Sequence, residues 1–291
     1  MNTTLRNLAV AAALSLIAAS AVAQETSQAT SQGRFSTSAS SPTPVPETGV
    51  VTGTFPSGTE EATYYLSLDL KPGDLATQIS IQGRPGRDKA LALDVKDPRG
   101  RVVGYTSVMT GLDANQEASR VFPADSGGKY LLIVKTRGPE TTSFKIEVGG
   151  SALPNRVLQT TESGPFSRSY LAPTPFPKSG GVSGSFPGGE KQITYYYFAA
   201  DLKPGDLTTQ ISFSGRRNAP KMLELALLDS KGRVGANSSH YIMSELDATS
   251  EKTRAFPIDS AGRYILRVSM SGAEGTGFKV DLGGSAVPPV Q

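Results

Sequence analysis

Histidine chemistry in this chain depends on one residue, because His240 is the only histidine among 291 residues. A triad of serine, histidine and aspartate would have to use it, and a metal site with two imidazoles is excluded. His240 lies in the polar stretch Asn237-Ser-Ser-His-Tyr241, which has no counterpart in the first half of the chain. We therefore expect an exposed loop residue here rather than a catalytic one.

Carboxylates offer a second route to catalysis. Asp74, Asp97, Asp113 and Asp125 could supply the acid and base of glycoside hydrolysis if folding brought two of them together. Each stands in turn-forming sequence, where aspartate bonds to local backbone N–H groups. Weak hydrolase activity is therefore kept as a secondary alternative, and the sequence predicts a protein that is not an enzyme.

Calcium is the one cofactor that these side chains would support, because Ca²⁺ needs only oxygen ligands and the chain contains no cysteine. Asp69 with Asp74, and Asp201 with Asp206, bracket the end of a predicted strand in each half of the chain. No Asp-x-Asp-x-Asp ladder accompanies them. These four carboxylates are the candidate metal ligands.

Tyrosines are the candidate ligand-binding residues. Strand alternation places Tyr65, Tyr195 and Tyr197 on the face opposite the predicted core. An exposed set of rings would favour carbohydrate binding, although the chain contains no tryptophan. The alternative is that these rings cover a sheet or meet a second domain.

The chain repeats itself over the length of a whole domain, which predicts two tandem domains. Three pairs of matching segments show the repeat: Val51-Thr-Gly-Thr-Phe-Pro56 with Val182-Ser-Gly-Ser-Phe-Pro187, Leu70-Lys-Pro-Gly-Asp74 with Leu202-Lys-Pro-Gly-Asp206, and Gly149-Gly-Ser-Ala152 with Gly283-Gly-Ser-Ala286. The matched residues are those of turns and of apolar cores.

Apolar residues within each copy alternate with polar ones, as in Tyr64, Leu66, Leu68 and Leu70. Lys-Pro-Gly-Asp and similar turn sequences separate these runs. The pattern predicts an all-β fold of two tandem β-sandwich, jelly-roll-like domains with about eight strands each.

The predicted boundaries follow from this pattern. The first sandwich takes residues 49–154 and the second takes 180–288. A Ser/Thr/Pro-rich disordered linker at 24–48 and a proline-containing linker at 155–179 precede them. The proline strips within these linkers, 41–46 and 172–177, are expected to be extended spacers.

Residues 1–23 have the features of a signal peptide. Arg6 precedes an apolar run, and Ala21-Val22-Ala23 forms a small-residue cleavage site. The run is too short for a spanning helix, and no later stretch is long and apolar enough, so no transmembrane segment is expected after cleavage. The protein is expected to be periplasmic or secreted.

Charge argues against a nucleic-acid partner, because 29 Lys and Arg are balanced by 26 Asp and Glu. Partners are instead expected to be an extracytoplasmic protein or a polysaccharide. The sequence does not define an oligomeric state.

The order of elements resembles the bacterial pre-peptidase C-terminal domain, a β-sandwich found on exported proteins. The likeness rests on Tyr64-Tyr65 leading into Leu-Lys-Pro-Gly-Asp, on Asp97-Pro-Arg-Gly100, and on Asp125-Ser-Gly-Gly-Lys-Tyr130 before a late strand. The resemblance implies an accessory role. We therefore expect a non-enzymatic protein that contacts a protein or polymer, with a carbohydrate-binding module for cell-wall or exopolysaccharide glycans as the alternative.

Overall fold

The structure, a computed structural model, describes residues 35–56, 61–139, 141–153, 165–187, 192–229, 232 and 234–289. The predicted signal peptide at 1–23 lies outside these residues. Within the described part, no helix has the length and hydropathy needed to cross a bilayer.

Domain 1, residues 35–153, is built from strands that follow the predicted alternation. The strands are β1 (Thr43–Pro44), β2 (Val50–Thr54), β3 (Glu61–Leu70), β4 (Gly73–Gln82), β5 (Lys89–Lys96), β6 (Val102–Thr110), β7 (Asn115–Ala124), β8 (Gly128–Arg137) and β9 (Ser143–Gly149).

Domain 2, residues 165–289, repeats this order of elements. The strands are β10 (Thr174–Pro175), β11 (Gly181–Ser185), β12 (Thr194–Leu202), β13 (Gly205–Ser214), β14 (Lys221–Leu228), β15 (Val234–Ser244), β16 (Thr249–Ile258), β17 (Gly262–Gly272) and β18 (Gly277–Gly283).

Each domain pairs a five-stranded sheet with a four-stranded sheet. The order is β1-β3-β8-β5-β6 and β2-β9-β4-β7 in domain 1, and β10-β12-β17-β14-β15 and β11-β18-β13-β16 in domain 2. The prediction of an all-β fold with two tandem β-sandwiches is confirmed. The described residues give nine strands per domain where the sequence predicted about eight.

Each sandwich has its own core, because alternate residues of both sheets point inward. In β5, Leu91, Leu93 and Val95 are fully buried, and Leu223 and Leu225 are fully buried in β14. Separate clusters of buried apolar side chains fill the two domains. Both domains belong to one compact unit of the chain.

The proline strips are not spacers in this structure, and this is where the additional strands come from. Thr43 and Pro44 form β1, which pairs in parallel with β3, and β10 pairs with β12 in the same way. Upstream of each strip, Phe35 packs edge-on against Tyr64, and Phe166 packs edge-on against Tyr196. The repeated unit therefore begins at Phe35 and Phe166, inside segments that the sequence suggested were linkers.

The repeated Lys-Pro-Gly-Asp and Gly-Gly-Ser-Ala motifs bind each other. In domain 1 the backbone N–H of Asp74 donates to Ser151 Oγ over 2.9 Å, and the N–H of Ala152 donates to the carbonyl oxygen of Asp74 over 2.9 Å. In domain 2 the N–H of Asp206 donates to Ser285 Oγ over 2.9 Å. These contacts close the end of each sandwich and explain why both motifs recur.

Candidate ligand-binding face

A row of polar side chains crosses the outward face of the four-stranded sheet in domain 1. The outward residues of a strand are those between its core positions. Ser80 of β4 lies opposite Glu117 of β7 on one side and Lys145 of β9 on the other. Thr52 of β2 lies opposite Lys145 and completes the row.

The same row recurs in domain 2. Ser212 of β13 lies opposite Glu251 of β16 and Lys279 of β18. Ser183 of β11 lies opposite Lys279. The order is therefore carboxylate, hydroxyl, ammonium and hydroxyl in both domains, at positions where the core does not dictate the residue type.

An adjacent row adds an amide and a second carboxylate. Gln78 lies opposite Glu147 and donates to Glu117 Oε2 over 3.3 Å. The Nζ of Lys145 lies 3.3 Å from Glu147 Oε1. We call these residues the polar face of domain 1: Thr52, Gln78, Ser80, Glu117, Lys145 and Glu147.

The polar face of domain 2 has matching contacts. Gln210 lies opposite Asp281 and donates to Glu251 Oε2 over 3.1 Å. The Nζ of Lys279 lies 2.8 Å from Asp281 Oδ2. Its residues are the equivalents of those in domain 1: Ser183, Gln210, Ser212, Glu251, Lys279 and Asp281.

The outward faces of the five-stranded sheets agree only in part, because Tyr65 recurs as Tyr197 but neighbouring positions differ. Thr63 of domain 1 is replaced by Tyr195 in domain 2, and Ile133 is replaced by Arg267. The guanidinium of Arg267 lies over the Tyr195 ring, 5.6 Å from its centroid. The two copies thus share the polar face and only part of the other outward face.

Domain 2 covers part of the polar face of domain 1 with its five-stranded sheet. Tyr170, Tyr195 and Tyr197 of domain 2 cluster with Ala76 and Val121 of domain 1. The Tyr170 and Tyr197 rings meet edge to face with centroids 6.0 Å apart. The outward face of the five-stranded sheet of domain 2 is therefore a contact surface between domains.

Hydrogen bonds fix the register of this contact. Gln78 Oε1 accepts from the N–H of Tyr170 over 2.7 Å, and Gln78 Nε2 donates to the carbonyl oxygen of Arg168 over 3.1 Å. Asn115 Oδ1 accepts from the N–H of Ile193 over 2.8 Å, and its amide also donates to the Ile193 carbonyl oxygen. These amides satisfy backbone groups that the contact would otherwise bury without partners.

Glu117 is the ionisable group at the centre of this contact. The Tyr197 hydroxyl donates to Glu117 Oε1, and Gln78 donates to Oε2. Burial raises the pKa of Glu117 to about 7, and the hydrogen bond from Tyr197 and the charge of Arg267 act in the opposite direction. Glu117 therefore titrates near neutral pH.

A cavity of about 390 Å³ remains where domain 2 borders the polar face of domain 1. Its floor includes Ser80, Lys145 and Glu147, and its wall includes Arg168 and Tyr195. Carboxylate, hydroxyl, amide and cationic groups converge there, so the cavity offers hydrogen-bond donors and acceptors close together.

The structure places the predicted tyrosines away from an exposed platform. Tyr197 is 1% exposed and Tyr195 is 8% exposed, because both lie between the domains. Tyr65 is partly buried on the five-stranded sheet of domain 1, where its N–H donates to the Ser36 carbonyl oxygen over 2.8 Å. Strand alternation predicts that these side chains point away from the core. That Tyr195 and Tyr197 are covered by the other domain depends on tertiary packing, which alternation does not reveal.

The four predicted calcium ligands are exposed. Asp69 and Asp201 lie at the ends of β3 and β12, and Asp74 and Asp206 lie in the motifs that close each sandwich. Among the described residues, no three His, Cys, Asp or Glu side chains form a group able to hold a metal ion. Calcium binding by these residues stays a prediction.

His240 is not an exposed loop residue. It lies in β15, is 2% exposed and has Nε2 3.0 Å from Thr209 Oγ1. Its ring meets Phe256 edge to face, at 5.7 Å. Burial, followed by the charges of Lys252 and Arg254, lowers its pKa to about 4. His240 is therefore a neutral side chain between the two sheets of domain 2.

Exposed apolar side chains recur on the edge strands of both five-stranded sheets and in the turns that follow these strands. Met109 and Leu112 are 67% and 85% exposed, and their equivalents Met243 and Leu246 are 63% and 71% exposed. Clusters of exposed apolar residues can mark contacts with other macromolecules. The recurrence of Met109 as Met243 and of Leu112 as Leu246 is visible in the sequence, but these residues lie outside the inward positions that define the core.

Comparisons with known proteins identify no family. No family model matches the sequence, and no curated protein matches it. Among solved structures, the CBM22-1-CBM22-2 tandem domain of Paenibacillus barcinonensis Xyn10C is 9% identical, with a TM-score of 0.22, and the match covers 82% of this chain and 91% of that one. The PBSX exported protein XepA is 11% identical, with a TM-score of 0.23, and the match covers 81% and 88% of the two chains.

Proposed function

We propose that this protein is a non-enzymatic binding protein that acts outside the cytoplasm, and that the polar face of domain 1 binds a neutral polysaccharide. The observation that carries this proposal is the recurrence of the polar face in both domains, with its carboxylate, hydroxyl, ammonium and amide groups in the same order. Because outward residues do not build the core, a requirement outside the core is the simplest reason for their agreement.

The chemistry of the face suits sugars. Sugar hydroxyls both donate and accept hydrogen bonds, and carboxylates, amides and ammonium groups arranged in rows can satisfy several of them at once. The row runs across four strands, about 5 Å apart, which gives an extended site. The site suits an extended chain of sugar units.

The charges favour a neutral ligand. Lys145 lies beside Glu147, and Glu117 has a pKa near neutrality, so the face has little net charge available for an anionic polymer. An anionic polysaccharide would need unpaired cations. Xylan, β-glucan and mannan are therefore suitable probes.

The test is binding of xylan, β-glucan and mannan to the mature protein, by affinity electrophoresis and calorimetry. The double variant Ser80→Ala/Lys145→Ala removes two members of the polar face. The matched control, Ser107→Ala/Lys135→Ala, removes the same residue types from the five-stranded sheet, where Lys135 pairs with Asp94 over 2.8 Å.

We expect the Ser80→Ala/Lys145→Ala variant to bind its polysaccharide at least about tenfold more weakly, a loss of about 1.4 kcal/mol, and the control to bind as the unaltered protein does. Lack of binding to all three polysaccharides would overturn the proposal. An equal loss in the two double variants would also overturn it, since the face would then have no special role.

A protein partner is the second candidate function, favoured by exposed Met109, Leu112, Met243 and Leu246. The resemblance to pre-peptidase C-terminal domains would likewise give the sandwiches an accessory role beside a protein. This candidate predicts that the polysaccharide assays stay negative. The polar face, with its larger number of convergent hydrogen-bonding groups, makes polysaccharide binding the preferred proposal.

A further inference from the structure

The polar face of domain 2 is open where that of domain 1 is partly covered. Glu251 and Lys279 are exposed, and within the described residues no third domain lies over them. A groove of about 760 Å³ runs across this face and is lined by Ser212, Glu251 and Lys279. The same types of side chain therefore lie beside domain 2 on the polar face of domain 1 and are open on the polar face of domain 2.

The differences between the two faces show what each is adapted to contact. In domain 1, Ala76 and Val121 receive the tyrosines of domain 2, and Asn115 pairs with the backbone of Ile193. The equivalent positions of domain 2 are all different residues: Thr208, Ala255 and Thr249. The apolar residues that receive the tyrosines, and Asn115, are thus not repeated, whereas the polar docking residues Gln78 and Glu117 recur as Gln210 and Glu251.

The residues that would contact a ligand are repeated. Serine, glutamate, lysine and glutamine are identical between the two faces, and an aspartate takes the place of Glu147. A face that keeps the polar groups but lacks the apolar Val121 and the amide of Asn115 fits a polar polymer better than another β-sandwich. Domain 2 also keeps the contacts that orient these groups, with Gln210 donating to Glu251 over 3.1 Å.

We propose that the polar face of domain 2 is a second site for the same neutral polysaccharide, so that one protein binds a polymer at two points. This inference rests on the proposed function of domain 1. Two linked sites raise the apparent affinity for a polymer that can reach both, because the second contact becomes intramolecular. Short oligosaccharides gain nothing from this effect, since one molecule occupies one site.

Calorimetry with xylohexaose, cellohexaose and mannohexaose separates the two sites. We expect two molecules of the recognised hexasaccharide per protein, and one for the Ser212→Ala/Lys279→Ala variant. The same variant should bind the long polysaccharide at least tenfold more weakly. Ser107→Ala/Lys135→Ala is again the control, and circular dichroism establishes that each variant is folded.

The outcomes distinguish this inference from the proposed function. One hexasaccharide per protein, lost on Ser80→Ala/Lys145→Ala and unchanged on Ser212→Ala/Lys279→Ala, would overturn the second site and leave the first. Two hexasaccharides whose binding ignores the domain 2 variant would also overturn it. Failure of all three hexasaccharides and all three polysaccharides to bind would overturn both proposals.

Discussion

Glu117→Gln is expected to remove a pH dependence from the contact between the domains. The glutamine side chain has the shape of a protonated glutamate and carries no charge. Its carbonyl oxygen can accept from Gln78 while its NH₂ donates to the oxygen of Tyr197, which is the pattern of a protonated carboxyl group. The variant therefore mimics one protonation state of Glu117 at every pH.

The magnitude follows from the pKa. Burial raises the pKa of Glu117 from 4.5 to about 7, so the folded protein favours the neutral carboxyl group. This contribution to stability is fully present below pH 4.5 and is lost as the pH rises towards 7, because the unfolded chain ionises first. A pKa difference of one corresponds to about 1.4 kcal/mol, so the stability that Glu117 contributes at low pH has an upper limit of about 3 kcal/mol. Partial exposure of Glu117 makes a loss of about 1–2 kcal/mol the working expectation.

The assay is urea unfolding of both proteins at half-unit steps from pH 4 to pH 8. The difference in unfolding free energy between Glu117→Gln and the unaltered protein should grow in favour of the variant between pH 4.5 and 7 and then level off. Glu251→Gln is the matched control, because Glu251 bonds to the equivalent glutamine but is exposed. A difference that stays constant with pH, or one that Glu251→Gln reproduces, would show that Glu117 does not control this pH dependence.

Two further predictions concern a buried histidine and a tight turn. His240→Thr, which installs the residue found at the equivalent Thr106, should reduce acid destabilisation. The pKa of His240 is lowered to about 4, so up to about 3 kcal/mol of stability present above pH 6.5 is lost as the pH falls towards 4, as acid unfolding followed by circular dichroism would show. Gly150→Ala should cost more than about 2 kcal/mol in urea unfolding, because φ is +98° and its Cβ would lie 2.3 Å from the Asp74 carbonyl oxygen. Gly86→Ala, at φ +75° with no described atom within 4 Å of its Cβ, should cost only about 1 kcal/mol; similar costs at both sites would contradict the steric explanation.

Alternation of apolar and polar residues predicted the sandwiches, because the inward positions of strands such as β5 must be apolar regardless of which surface the domain binds. The prediction that the proline strips are spacers was wrong, because a strand of only two residues, such as β1, leaves no alternation to detect and its prolines suggest an extended spacer. Their inclusion in the domains depends on Phe35 and Phe166, whose repetition in sequence was a usable signal. The prediction of an exposed His240 was wrong because Asn237-Ser-Ser-His240 interrupts the apolar pattern of β15. The side chain is buried because residues of the facing sheet pack against it.

The polar face could have been found from the sequence, and its covering could not. Aligning the copies by their turns pairs Glu117 with Glu251 and Lys145 with Lys279, and alternation gives all four an outward direction. Which face another domain covers depends on tertiary contacts between segments far apart in the chain. The burial of Tyr197 against Glu117 is one such contact.

The two copies differ at residues that a repeat of this head-to-tail contact would need. The contact joins the four-stranded sheet of domain 1 to the five-stranded sheet of domain 2, so the five-stranded sheet of domain 1 and the four-stranded sheet of domain 2 take no part in it. Contacts between unlike faces of this kind can propagate into filaments. Here the segment 168–171, which brings Tyr170 to domain 1, corresponds to the small polar segment 37–40 of domain 1. Val121, which receives the tyrosines, corresponds to Ala255 in domain 2. The open face of domain 2 therefore keeps the polar residues of the contact, Gln210 and Glu251, but not the apolar Val121, which agrees with the proposed binding of a polar polymer.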